Sequence, residues 1–240
     1  RPQVFNSMHQ AMRQEILDAL EQCMVDPGIR AVYLTGAGKA FCAGEDLQEV
    51  VAPDGPSLTE IISTGYNPIV RAIRYMEKPV VGAVNGVAAG AGANIALACD
   101  ITVATASASF TQAFSKIGLI PDSGGTWTLP RLVGFQRATA LMMLSDKLPA
   151  AEAAAMGMIW KVFPDETFAE DSYRIAQMLA QMPTIGLGLT KRALNQSFSN
   201  TFDGQLLVED ELQSAAGQTN DYREGVAAFL EKRKPNFTGS

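Results

Sequence analysis

From Ser7 to Val25 the apolar residues Met8, Met12, Ile16, Leu20 and Cys23 recur at three- and four-residue steps. That period predicts a helix with one buried face, with Asn6 or Ser7 as its cap and Pro27-Gly28 as its stop. Ile29 to Thr35 is a mainly apolar run of strand length, closed by the turn Gly36-Ala37-Gly38. The stretch Val50 to Ser57, with Pro53-Asp54-Gly55-Pro56, reads as a surface loop. A helix follows to Met76, and Pro79 to Val84 then reads as a short, fully buried strand.

Strand signals return over Ile101 to Ala104, Phe110 to Gln112 and Ile159 to Phe163. Helical patterns lie before and between them over Asn94 to Cys99, Thr126 to Leu132, Arg137 to Leu144 and Ala150 to Met156. Past Asp165 the strand signal stops. Helical periods fill Thr167 to Met182, Thr184 to Phe198, Phe202 to Ala216 and Tyr222 to Arg233. Alternating strands and helices predict an α/β core on a parallel sheet, followed by an all-helical tail. We place the division at 1–182 and 183–240.

Composition narrows the function. The chain has 240 residues, 47% of them hydrophobic and 18% charged, with a net charge of −6. That balance suits a globular protein with a sizeable core and argues against a general nucleic-acid or anionic-membrane surface. Cys23, Cys42 and Cys99 are odd in number and widely spaced, and read as reduced thiols of a cytoplasmic protein. His9 is the only histidine, which leaves little material for a zinc site or a histidine-based triad, so no metal is expected. No apolar run reaches the length of a membrane span. The chain opens on Arg1-Pro2, and no signal peptide is visible.

Three glycine-rich segments carry the candidate chemistry. Gly44-Glu45 is either a tight turn capping a helix from Glu45 to Val50 or a turn whose N–H groups face outward to an anion. Gly90-Ala91-Gly92 leads into the apolar helix from Asn94 and offers the same pair of readings, close helix packing or free donors. Asp122 lies between Pro121 and Gly124-Gly125, flanked by apolar Ile120 and Trp127. It is either the N-cap of the helix from Thr126 or a carboxylate whose apolar setting raises its pKa toward proton transfer. One acid-base group and two preorganised donors suffice to move a proton next to a carbonyl.

Read together, Ala43-Gly44-Glu45-Asp46-Leu47, Gly86-Val87-Ala88-Ala89-Gly90-Ala91-Gly92, Cys99-Asp100 and Gly118-Leu119-Ile120-Pro121-Asp122-Ser123-Gly124-Gly125-Thr126 form a specific set. On these motifs the chain resembles the crotonase (enoyl-CoA hydratase/isomerase) superfamily from Arg1 to Ser240, without that family's first strand. The resemblance implies a ClpP-like fold of repeated β-β-α units with a C-terminal helical trimerisation region. It implies an acyl-CoA substrate, with coenzyme A entering as part of the substrate and no separate cofactor. Homotrimers, often paired into hexamers, are the assembly it implies.

Carried over residue by residue, the resemblance makes the N–H groups of Glu45 and Ala91 an oxyanion hole for the thioester carbonyl. It places coenzyme A along Ala43, Gly44, Asp46 and Leu47, with Gly90 and Phe114 at the substrate. Phe229 and Lys232 are candidate coenzyme contacts, with helix packing and a solvated charge as their plainer roles. Gln3 stands where many relatives have a lysine for the CoA phosphates. The two catalytic glutamates of the family's hydratases are replaced here by Asn94 and Phe114. Neither can serve as an acid or base, so hydration is not expected. Asp122 remains as the acid-base, which implies an isomerase. Its expected reaction is either the rearrangement of a ring epoxide of an arylacetyl thioester to an oxepin or the 3-enoyl to 2-enoyl shift, with fatty-acid oxidation as the alternative setting for the latter. A non-catalytic CoA-binding or RNA-binding homologue is the reading from another class.

Overall fold

The computed structural model describes residues 1–240. Eight short strands divide between two four-stranded sheets, ordered β1-β3-β5-β8 and β2-β4-β6-β7. Their bounds are β1 Val32–Thr35, β2 Ala40–Cys42, β3 Val80–Val84, β4 Val87–Ala89, β5 Ile101–Thr105, β6 Ser109–Thr111, β7 Leu148–Pro149 and β8 Lys161–Phe163. Each of the first three strand pairs sends one strand to each sheet and is followed by helix, which produces the repeated β-β-α unit. All pairings are parallel except β6 with β7. The last strand ends at Phe163, and only helices follow.

The twelve helices are α1 Gln10–Val25, α2 Leu47–Val50, α3 Leu58–Glu60, α4 Asn67–Tyr75, α5 Ala91–Ala98, α6 Gly125–Val133, α7 Phe135–Leu144, α8 Ala150–Ala155, α9 Phe168–Ala180, α10 Thr184–Ser197, α11 Phe202–Ala216 and α12 Asn220–Glu231. Strand β3 reads Val-Val-Gly-Ala-Val and is buried throughout, as a central strand covered on both faces must be. Helix α5 is buried on every side, and its small residues let it lie close to its neighbours. A Cβ on Gly92 would fall 2.4 Å from the Cys42 carbonyl oxygen, so only glycine allows α5 to pack on the end of β2. Ile69, Ile73 and Met76 are fully buried in the same core, each worth about 1.5–3 kcal/mol of apolar burial.

Several local expectations are corrected. Helix α1 begins at Gln10, and its cap is His9, whose Nδ1 accepts the Met12 N–H at 3.1 Å. Asn6 is instead buried in a left-handed turn and donates to the carbonyls of Ala37 and Ala40. The helix expected to run to Met76 is broken: a π-helical turn, Ile61–Tyr66, separates α3 from α4. Strands β1 and β8 are shorter than their apolar runs, starting at Val32 and Lys161.

Candidate active site

Two turns from different β-β-α units meet at the centre of the site. Strand β2 runs into Gly44, whose φ of +96° is open to glycine but strained for other residues. A Cβ there would lie 3.0 Å from the Ala89 oxygen and 3.6 Å from the Ala91 nitrogen. The Gly44-Glu45 turn and the start of α5 are therefore in direct contact. Gly90, with φ +53°, caps α5 and donates its own N–H to Thr111. The N–H groups of Glu45 and Ala91 donate no hydrogen bond within the chain. Two free donors therefore stand at adjoining turns, one of them at a helix N-terminus.

The side chain of Glu45 turns away from those donors. Its carboxylate meets Arg13 Nη1 at 2.5 Å and accepts the Tyr66 hydroxyl at 2.6 Å. Arg13, 4% exposed, also pairs with Glu49 at 3.1 Å. Burial pushes the Glu45 carboxyl above its ordinary value, opposed by the Tyr66 and Arg13 bonds. Its charge is thus held behind the turn, where a counter-ion offsets it.

Asp46 is committed elsewhere as well. It pairs with Arg1 at 2.8 Å and caps α2 through the Gln48 N–H. The Arg1 bond holds its carboxyl below the ordinary value. Ala43 donates its N–H to Phe5, and the neighbouring Leu47 side chain is 49% exposed.

Asp122 sits in the turn before α6. It is not the cap, because Gly124 occupies that position. Its carboxylate accepts from the Ser123 hydroxyl at 2.9 Å, and its main-chain oxygen accepts from Gly125 at 2.8 Å and from Asn94 Nδ2 at 2.9 Å. Burial pushes the carboxyl above its ordinary value of 3.8, with the Ser123 bond pulling back. Of the expected apolar flanks, Ile120 is 81% exposed, and Trp127 lies under Arg131 and edge-to-face with Phe198.

Asn94, on α5 three residues past Ala91, is the link that brings Asp122 to the donor turns. Phe114, in the 3-10 turn Ala113–Ile117, is buried with its ring tip 3.8 Å from where a Cβ on Gly90 would stand. The structure therefore gathers Gly44, Glu45, Gly90, Ala91, Asn94, Phe114 and Asp122 in one place. Phe229 is 83% exposed and Lys232 faces solvent at the end of α12. Neither forms a hydrogen bond or ion pair with the Ala43–Leu47 turn.

Arg13 and Tyr66 escaped the sequence reading. Arg13 shares a helical face with Leu17 and Leu20, so a cation on an apolar stripe was the signal available. No group of three or more His, Cys, Asp or Glu side chains is clustered to hold a metal. Burial pushes the Cys42 thiol up to about 11 and the Cys99 thiol to about 12, which leaves both as neutral packing residues. A cavity of about 520 Å³ is lined by Leu97, Asp100, Met158 and Trp160 among others and contains none of the gathered residues.

The enzyme family is decided by comparison with known proteins. The family model for enoyl-CoA hydratase/isomerase matches residues 1–240. The chain belongs to the enoyl-CoA hydratase/isomerase family. Within it, the chain is 50% identical to the 1,2-epoxyphenylacetyl-CoA isomerase of Escherichia coli (strain K12), over 100% of this chain and 92% of that one. It is 46% identical to a Rhodobacter capsulatus protein named "Probable enoyl-CoA hydratase", over 100% of this chain and 92% of the other. The enoyl-CoA hydratase structure from Bacillus anthracis superposes with a TM-score of 0.95 at 33% identity, covering 100% of this chain and 93% of that one. Hydratase/isomerase chemistry on this fold is thus the family's activity.

Proposed function

We propose that this chain is an acyl-CoA isomerase with Asp122 as its single acid-base, acting on the ring 1,2-epoxide of phenylacetyl-CoA. The observation that carries the reading is the half-buried Asp122 carboxylate, raised toward proton transfer and tied through Asn94 to the helix that presents the Ala91 donor. The thioester carbonyl accepts from the N–H groups of Glu45 and Ala91. Removal of a proton from the α-carbon by Asp122 puts negative charge on that oxygen, and each fixed donor is worth about 10²–10³ in rate. As the enolate forms, the bond between the two epoxide carbons opens, the ring expands to the oxepin, and Asp122 returns the proton to a ring carbon. No atom is gained or lost, so one carboxylate is enough. The same proton relay converts a 3-enoyl-CoA into the conjugated 2-enoyl-CoA, the second reading.

The identity to the Escherichia coli epoxyphenylacetyl-CoA isomerase favours the aromatic substrate. The apolar ring of Phe114 beside Gly90 supports a non-hydrating site, since it offers no group to activate water. Coenzyme A lies along Ala43 to Leu47, using main-chain groups and the exposed Leu47, because Asp46 is already paired. Phe229 and Lys232 reach a coenzyme only as part of an assembled homotrimer or hexamer, which the exposed Phe202, Leu207 and Leu230 also favour.

The test offers purified enzyme three substrates: the ring epoxide thioester, a straight-chain 3-enoyl-CoA and a 2-enoyl-CoA in water. The reading expects turnover of the first two, with the epoxide preferred, and no hydration of the third. Hydration at a rate matching isomerisation would overturn it. A strong preference for straight chains would move the assignment to a fatty-acid Δ3,Δ2-enoyl-CoA isomerase.

A further inference from the structure

We infer that Asn94, oriented by Gln112, is the positioning residue that fixes the Asp122 turn against the donor helix. The proposal rests on Asp122 being the acid-base. Asn94 is 1% exposed and Gln112 5% exposed. Gln112 Nε2 donates to Asn94 Oδ1 at 2.8 Å, and Asn94 Nδ2 donates to the Asp122 main-chain oxygen at 2.9 Å. This is a one-way chain. With its acceptor end occupied by Gln112, the Asn94 amide cannot turn over without setting two oxygens against each other at Asp122.

Two further observations show that the turn needs such an anchor. Ser123 holds a φ of +50° and Gly124 one of +74°, so a strained residue directly follows the carboxylate. At Gly125 a Cβ would fall 2.3 Å from Asn94 Nδ2, so the turn is seated directly on the amide. Gln112 Oε1 is the one buried side-chain N or O atom without a partner. An unsatisfied buried acceptor is costly, and Gln112 carries that cost while its donor end serves Asn94. The hydroxyl of Ser145 steadies the base of the chain by donating to the Gln112 main-chain oxygen. Asn94 thus spans from α5, which presents the Ala91 N–H, to the loop that carries the base. It fixes the distance over which the proton moves relative to the thioester oxygen.

The experiment measures kcat and KM for 3-enoyl-CoA isomerisation in Asn94→Leu, Gln112→Met and Asn94→Asp, with wild type and with Asp122→Asn as backgrounds. Thermal melts accompany each variant. Asn94→Leu removes the anchor and lowers kcat about 10²-fold, the loss expected of a catalytic group displaced by 1 Å, while KM moves less than about threefold. Gln112→Met frees the amide to turn over and lowers kcat about tenfold, in a side chain of matching length that keeps the core filled.

Asn94→Asp donates to the Asp122 oxygen only when its carboxyl is protonated. Its rate relative to wild type therefore rises as pH falls, a signature that a packing role does not produce. In the Asp122→Asn background, Asn94→Leu changes the residual rate by less than about threefold, because the group it positions is gone. An equal loss in both backgrounds, an unchanged kcat in Asn94→Leu, or a KM effect alone would overturn the inference. Wild-type turnover by Asp122→Asn itself would instead sink the acid-base assignment, whatever Asn94 does.

Discussion

Two buried polar clusters flank the site, and they are built from opposite materials. Behind the Glu45 donor lies an ionic one: Arg13 with Glu45 and Glu49, and the Tyr66 hydroxyl on Glu45. Behind Asp122 lies a neutral one: Asn94, Gln112 and Ser123. The difference follows from what each must leave undisturbed. A donor N–H keeps its polarity beside an ionic cluster in which Arg13 offsets part of the negative charge of Glu45 and Glu49. A proton-transfer carboxylate does not, because a nearby cation lowers its pKa and a nearby anion raises it. With Asp122 as the proposed acid-base, amide and hydroxyl groups can aim it without adding a net charge to its surroundings.

The comparison breaks most visibly at Gly125. Gly125→Ala places a methyl on the Asn94 amide and misplaces the Asp122 turn. A kcat loss of about 10²-fold is expected with CoA-ester binding retained, measured by steady-state kinetics beside calorimetric binding. Retention of kcat there would show that the neutral cluster does not aim the carboxylate.

On the ionic side the expected effect is on stability. Arg13→Met leaves the Glu45 carboxylate without its counter-ion, and chemical denaturation should register a loss of about 2–3 kcal/mol, discounted for the partial exposure of the glutamates. The sign with pH is fixed. An acid whose folded pKa is raised loses stability as pH rises from its ordinary value through the raised one. The deficit of Arg13→Met is therefore smallest in acid, where Glu45 is protonated, and grows toward neutrality. A deficit that shrinks with rising pH would contradict the ionic account.

Tyr66→Phe removes one hydrogen bond to the same carboxylate and costs about 1–2 kcal/mol in the same assay. The smallest effect sharpens the contrast from the other side. The raised pKa of Asp122 means that its ionised form is disfavoured by folding at neutral pH. Asp122→Asn removes that charge and keeps an acceptor for Ser123. It should be as stable as wild type at acidic pH and slightly more stable, by less than about 1 kcal/mol, above the carboxylate range. A destabilised variant would mean that the carboxylate serves the fold.

Much of this was legible in the residues. The buried strand Val80–Val84 and the helical tail after Phe163 announce themselves through unbroken apolar composition and steady helical periods. The donor turns and Asp122 were marked by glycines whose need for contact is now visible at Gly44 and Gly92. Strands β2, β4 and β7 were not legible. They have two or three residues each, too few to show an alternation, and β2 and β4 run directly into the glycine turns. The π-helical turn at Ile61–Tyr66 also lacked a signal, since a widened turn of six residues is too short to establish a period of its own. Asn94 could be marked as a missing glutamate, but its role depends on Gln112 and Asp122, which are 18 and 28 residues away. Periodicity does not report such contacts.

The central claim is that one carboxylate carries the proton, and the most direct measurement is the isomerisation rate of Asp122→Asn with CoA-ester binding measured on the same protein. The account predicts a rate lower by about 10²–10⁴-fold, the range for loss of a general acid-base group, with binding unchanged. Turnover at the wild-type rate by a variant that binds the thioester normally would contradict it.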